Sequence, residues 1–210
     1  MKSIVIFSSC YDVSSSHTAG WAEELHNDLV KRKDTCCFLY DAQYLCRSST
    51  ALDDAVERAD YIVFYGHGTQ KSWIALPDYS SGTSSVNSIP LVESNTVSVL
   101  KGRKVYAGCC WSLNVLGNNY IASFPQGEYV GYNHEFGFEE TNAEYFKEVV
   151  NLSVSSFIGG KSAAAIVSDL QTEWSILRDR FYSGNLNHKL NAAPASKIAD
   201  LNRQRVGSKP

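Results

Sequence analysis

Tyr61-Ile-Val-Phe-Tyr-Gly-His67-Gly68 and Lys104-Val-Tyr-Ala-Gly-Cys109-Cys110-Trp-Ser112 decide the reading of this chain. Each is an apolar run of about five residues, the length and make-up of a buried strand in a parallel sheet. Each stops at a glycine and a reactive side chain. In open α/β sheets, ligands and chemistry sit beyond the carboxyl ends of the strands. Neighbouring strands lie roughly 4.8 Å apart, so adjacent placement makes the His67 imidazole face the Cys109 thiol across a small cleft. The thiolate is the attacking form, and a nearby imidazole or helix N-terminus lowers the thiol pKa. Both devices fall to Cys109: His67 on the neighbouring strand end, and a helix expected over residues 112–123 with its first N–H groups aimed at the sulfur. Gly68 leaves its N–H open to the cleft, and with the N–H of Cys109 it makes a candidate oxyanion hole. Gly66 and Gly108 permit tight turns at the strand ends. No third member is evident, which leaves a backbone carbonyl to orient His67.

Working outward, strands are expected at residues 3–9, 36–40, 61–65, 105–108 and 128–132. Helices are expected at 17–33, 50–59, 96–101, 112–123, 141–158 and 162–182. Trp21, Leu25 and Leu29 recur at four-residue spacing, and Leu52, Ala55, Val56 and Ala59 share one helical face. Alternating strands and helices predict an α/β fold with a mostly parallel, right-handed sheet covered on both faces. Residues 77–95, rich in serine, read as a long surface excursion between the two reactive strands. Residues 185–210 carry five basic side chains against the single acid Asp200. They read as a basic C-terminal extension, solvated and with one loose helix at 195–206, beside a core domain of residues 1–184. The functional alternative is a docking arm for an acidic partner.

At 210 residues the chain suits one domain with a sizeable core. A net charge of −3 excludes the basic excess of a nucleic-acid binder. No apolar stretch reaches membrane-span length, and the apolar run near Met1 is too short for a signal peptide. The expectation is a cytoplasmic protein with no nucleic-acid or membrane partner. The six cysteines are then free thiols. No C-x-x-C pair occurs, so no metal is expected. Cys36, Cys37 and Cys46 read as small buried hydrophobes. His17, His26, His134 and His188 lack the strand-end context of His67 and read as surface or core residues.

The pattern of an apolar strand ending in His-Gly, followed 42 positions after His67 by an apolar strand ending in Gly108-Cys109, resembles the caspase-like cysteine peptidases. It is closest to the CHAT and separase-like members. The Gln-Ala-Cys-x-Gly signature of caspases is absent; Gly108-Cys109-Cys110-Trp111-Ser112 is instead similar to a Gly-Cys-Ser-Ser stretch, with Cys110 in place of a small polar residue. Downstream, Phe124-Pro-Gln-Gly-Glu-Tyr-Val-Gly-Tyr132 and Phe157-Ile-Gly-Gly-Lys-Ser-Ala-Ala-Ala165 resemble the CHAT strand and helix start that follow the cysteine. The resemblance covers residues 60–182. It implies a three-layer sandwich around a mostly parallel six-stranded sheet, and peptide-bond hydrolysis through a thioester, with Cys109 as nucleophile and His67 as acid and base. It also implies a protein or peptide substrate, no cofactor, and a regulatory partner or activator, as in defence or cell-death pathways. Asp12, at the end of strand one, matches the acid that in several relatives holds a basic P1 side chain; a helix-capping role is the plain alternative. The metacaspase acid before the cysteine has no counterpart at Ala107.

Two other readings stand beside it. A catalytically silent caspase-like scaffold would bind partners without turnover. A flavodoxin-like protein would cradle an FMN phosphate with Ser14-Ser-Ser-His-Thr18 at a helix N-terminus, although Asp12 would repel the anion.

Overall fold

A computed structural model describes residues 1–47, 49–78 and 87–209. Strands β1 (Lys2–Ser8), β2 (Thr35–Asp41), β3 (Tyr61–Tyr65), β6 (Lys104–Gly108), β7 (Tyr129–Tyr132) and β8 (Val206–Lys209) form one sheet in the order β2-β1-β3-β6-β7-β8. The first five are parallel, and β8 runs antiparallel along β7. Strands β4 (Ser72–Asp78) and β5 (Asn87–Glu93) make a separate antiparallel pair. The expected excursion at residues 77–95 therefore contains strand at its flanks and continues into a 3₁₀ turn at Val97–Leu100; residues 79–86 lie outside the described residues.

Side-chain alternation sorts the strands into two cores. Ile4 and Ile6 of β1 face one layer of helices, α1 (Val13–Leu29), α5 (Ala143–Ile158), α6 (Ala163–Tyr182) and α7 (Ala192–Arg205). Val5 and Phe7 face the other, α2 (Ala42–Leu45), α3 (Ser49–Glu57) and α4 (Val115–Ser123), together with the β4–β5 pair. The architecture is thus an α/β sandwich of three layers. No helix is long and apolar enough to cross a membrane among the described residues.

Two boundaries differ from the sequence expectation in ways that matter for the site. Helix α1 begins at Val13, four residues before residue 17, because Asp12 and Ser15 form a reciprocal cap: the Ser15 N–H donates to Asp12 Oδ1 at 2.7 Å, and the Asp12 N–H donates to Ser15 Oγ at 3.0 Å. The segment 185–210, expected as a solvated extension, is structural. Helix α7 lies along α6, burying Ala192, Ala195 and Ala199, and Val206 at the start of β8 is buried in the same core. No domain boundary falls at Gly184.

Candidate active-site cleft

Strands β3 and β6 end side by side, in a register that pairs Tyr65 with Gly108. His67 and Cys110 each lie two residues further on. Val105, Ala107 and Cys109 belong to the α4-side core, whereas Val63, Tyr65 and Tyr106 belong to the α1-side core. The same alternation carries His67 and Cys110 together to the α1 side. There they line one cleft of about 150 Å³ between the first turns of α1, at Ser14 and Thr18, and the loop carrying Phe136 and Phe138.

This placement does not bring Cys109, the nucleophile read from the sequence, into the cleft with His67. Cys109 is fully buried, in the core that holds Trp73 and Tyr129, and its sulfur points away from the cleft. Burial pushes its thiol well above the ordinary range. Cys110 is only partly buried and opens onto the cleft with His67. Its S–H points to the Phe136 carbonyl oxygen at 3.5 Å. Burial, and then the Glu135 carboxylate, push the Cys110 thiol up as well.

Asp12 holds His67. Its Oδ2 lies 2.9 Å from His67 Nε2, while Oδ1 accepts both the N–H and the hydroxyl of Ser15. The helix cap therefore fixes the carboxylate, and the carboxylate fixes the imidazole. Partial burial raises the Asp12 pKa, but the hydrogen bonds from Ser15 and then His67 outweigh it and hold the carboxyl below its usual value. The Tyr11 ring lies against His67, with centroids 5.4 Å apart. Of the two roles weighed for Asp12, the helix cap is observed, and the same carboxylate also holds His67. A carboxylate at the N-terminus of α1 also occupies the place a flavin phosphate would need.

The turn after β6 is tightly specified. Trp111 adopts φ +51°, a left-handed conformation that is rare for a bulky residue, and its N–H donates to the His134 carbonyl at 2.8 Å. Buried Ser112 ties the turn together, its hydroxyl donating to Cys109 O at 3.1 Å and accepting the Tyr132 N–H at 3.2 Å. Helix α4 starts only at Val115, and its early N–H groups at Leu116 and Gly117 go to Gln70 O and Ser112 O. The expected helix N-terminus beside the thiol is therefore not formed.

Gly68 sits hard against the cysteine turn: a Cβ there would lie 2.7 Å from both Cys109 Sγ and Cys110 O. Its N–H hydrogen-bonds to no group among the described residues. Gly68→Ala is expected to push the turn outward, lowering stability by about 1–3 kcal/mol and slowing Cys110 alkylation by substrate-like probes; thermal unfolding and peptide mapping check both effects.

The far wall is held by the C-terminal segment. Buried Asn202 on α7 donates to Gly137 O at 2.7 Å and accepts the Gly137 N–H at 3.2 Å, and Arg205 donates to Glu135 O at 2.8 Å. None of Cys110, Phe136, Phe138 or Asn202 was singled out as a site residue by sequence. For Cys110 a signal exists: it shares strand parity with Tyr106, as His67 does with Tyr65. Among the described residues, no group of three His, Cys, Asp or Glu side chains is placed to hold a metal ion.

Comparison with known proteins finds no matching family model, no matching curated protein and no matching solved structure.

Proposed function

We propose that this chain is a cysteine endopeptidase of the caspase-like type, with Cys110 as nucleophile, His67 as acid and base, and Asp12 as the positioning residue for His67. The observation that carries this reading is the delivery of Cys110 and His67 into one cleft from the ends of adjacent parallel strands, where open α/β sheets hold their chemistry. Asp12 on Nε2 favours the tautomer with the proton on that nitrogen, which leaves the Nδ1 lone pair for proton transfer. His67 takes the Cys110 proton as the sulfur attacks the peptide carbonyl carbon. The Gly68 and Cys110 N–H groups receive the developing oxyanion. His67 then protonates the leaving amine, and a thioester remains. Water, deprotonated by His67, hydrolyses the thioester; the acid leaves and the thiol is restored.

The raised Cys110 pKa supports the gated form of this reading. A thiol that is neutral at rest needs the substrate, or a regulatory partner acting in trans, to complete the proton transfer. The same observation is what favours the silent scaffold as the second reading. Free thiols at all six cysteines suit a reducing, cytoplasmic setting.

Asp12→Asn tests the arrangement, because asparagine caps a helix as well as aspartate does. Peptide hydrolysis is expected to fall at least about tenfold with a shifted pH profile, while the melting temperature at neutral pH falls only by the small amount that the Asp12 charge contributes. Since the folded-state pKa of Asp12 is depressed, its charge stabilises the protein fully above about pH 4. That contribution is lost as pH falls through the folded-state value, so the wild type and the variant should converge in stability in acid. An unchanged rate and pH profile would reduce Asp12 to a helix cap.

A further inference from the structure

The cleft beside Cys110 has a size and chemistry of its own. Its volume of about 150 Å³ is close to that of a cavity that takes one benzene ring and well below the roughly 300–1,000 Å³ of small-molecule pockets. It has room for one side chain. Phe136 and Phe138 form one wall, and Ser14 and Thr18 of α1 form the other. Apart from His67, no ionisable nitrogen or carboxylate lines it. Two acids lie close by without lining it: Asp12, which hydrogen-bonds Ser15 and His67, and Glu135, whose carboxylate lies 4.0 Å from the Arg205 guanidinium. The Thr18 hydroxyl donates to Ser15 O at 3.1 Å, whereas the Ser14 hydroxyl of that wall makes no hydrogen bond among the described residues.

The walls are also rigid. The Phe138 ring lies 4.9 Å from that of Trp21, and the Phe136 ring lies 4.7 Å from that of Tyr132, centroid to centroid. Asn202 grips Gly137 between them from both sides of its peptide. An incoming lysine or aspartate would give up hydration to an aromatic slot whose lining holds no carboxylate, lysine or arginine, an unfavourable transfer. A neutral side chain would exchange water for contact with two phenylalanine rings.

We infer that this cleft is the P1 pocket and that it selects an uncharged side chain of leucine or glutamine size, rejecting both basic and acidic P1 residues. The inference rests on Cys110 being the nucleophile, and it replaces the basic P1 preference that an acid at the end of strand one would imply.

The test uses the full chain and a set of peptidyl acyloxymethyl ketones identical except at P1, carrying Leu, Gln, Lys or Asp. Each forms a thioether with the active thiol as its carboxylate leaves, and peptide mapping locates the adduct. Labelling of Cys110 by the Leu or Gln reagent at least about ten times faster than by the Lys or Asp reagent is the expected result. Equal or faster labelling by Lys or Asp overturns the P1 inference and leaves Cys110 as nucleophile. No labelling of Cys110 by any reagent, with iodoacetamide still reaching it, overturns the peptidase reading and the inference with it. Ser14→Asp provides a second arm, since an acid in the first turn of α1 is compatible with the helix. It should raise the rate with the Lys reagent at least about tenfold; no gain in a folded variant would mean that the P1 side chain binds elsewhere.

Discussion

Cys110→Ala is expected to lower hydrolysis of a neutral-P1 peptide by at least about 10⁴-fold, the scale on which loss of a covalent nucleophile acts. Cys109→Ala is expected to leave turnover almost intact while lowering stability by about 1–2 kcal/mol, as trimming one buried atom from a packed core does. The contrast follows from where the two sulfurs lie. Cys109 is fully buried beside Trp73 and Tyr129, while Cys110 opens onto the cleft that His67 lines. For Cys109 to act, the strand end would have to rotate a buried thiol out of the core and break the Ser112 hydrogen bond to its carbonyl. Parallel assays of the two variants, with unfolding curves to separate folding from chemistry, decide the matter. Full activity in Cys110→Ala with none in Cys109→Ala would return the nucleophile to Cys109.

Ending the chain at Gly184 is the second large effect. The expectation from composition is that a basic tail can be removed without consequence. The structure implies the reverse. Leu186 and Val206 are buried in the α1-side core, and burying side chains of that size contributes about 1.5–3 kcal/mol each. Removal of α7 also uncovers the face of α6 that it covers and leaves β7 as an exposed edge. Against a total stability of about 5–15 kcal/mol for a domain, the shortened chain should be largely unfolded or aggregated. Within the intact chain, α7 holds the Gly137 peptide of the cleft wall through Asn202, so the loss reaches the site as well as the fold. A truncated protein with an unchanged denaturation midpoint would restore the solvated-tail reading.

The central strands were legible because their signal is local. Tyr61–Tyr65 and Lys104–Gly108 are apolar runs bounded by glycine, and a run that is buried on both faces shows itself in composition alone. The parallel order followed from the helices between strands, and His67 followed from its position at a strand end. The sixth strand was hidden because Val206–Lys209 offers one buried apolar residue and joins the sheet through backbone pairing with β7, which leaves no side-chain pattern. The helix expected at 195–206 is present as α7, but its packing was hidden for a related reason: its buried stripe is made of Ala192, Ala195 and Ala199, side chains small enough to let it lie close to α6 but too small to register as an apolar face.

By itself, the sequence determined that a histidine and a cysteine each follow an apolar strand of a parallel sheet; the fold makes those strands neighbours. Which cysteine meets the histidine depended on strand register. Side chains alternate across a sheet, so a shift of one residue moves a group from the cleft to the opposite core, and the pairing of Tyr65 with Gly108 sets His67 against Cys110. The bond from Asp12 to His67 spans 55 positions, and the phenylalanine wall is closed by a helix more than sixty residues downstream. Contacts of that range leave no local signal; the packing of α1 and α7 on one face of the sheet brings them together.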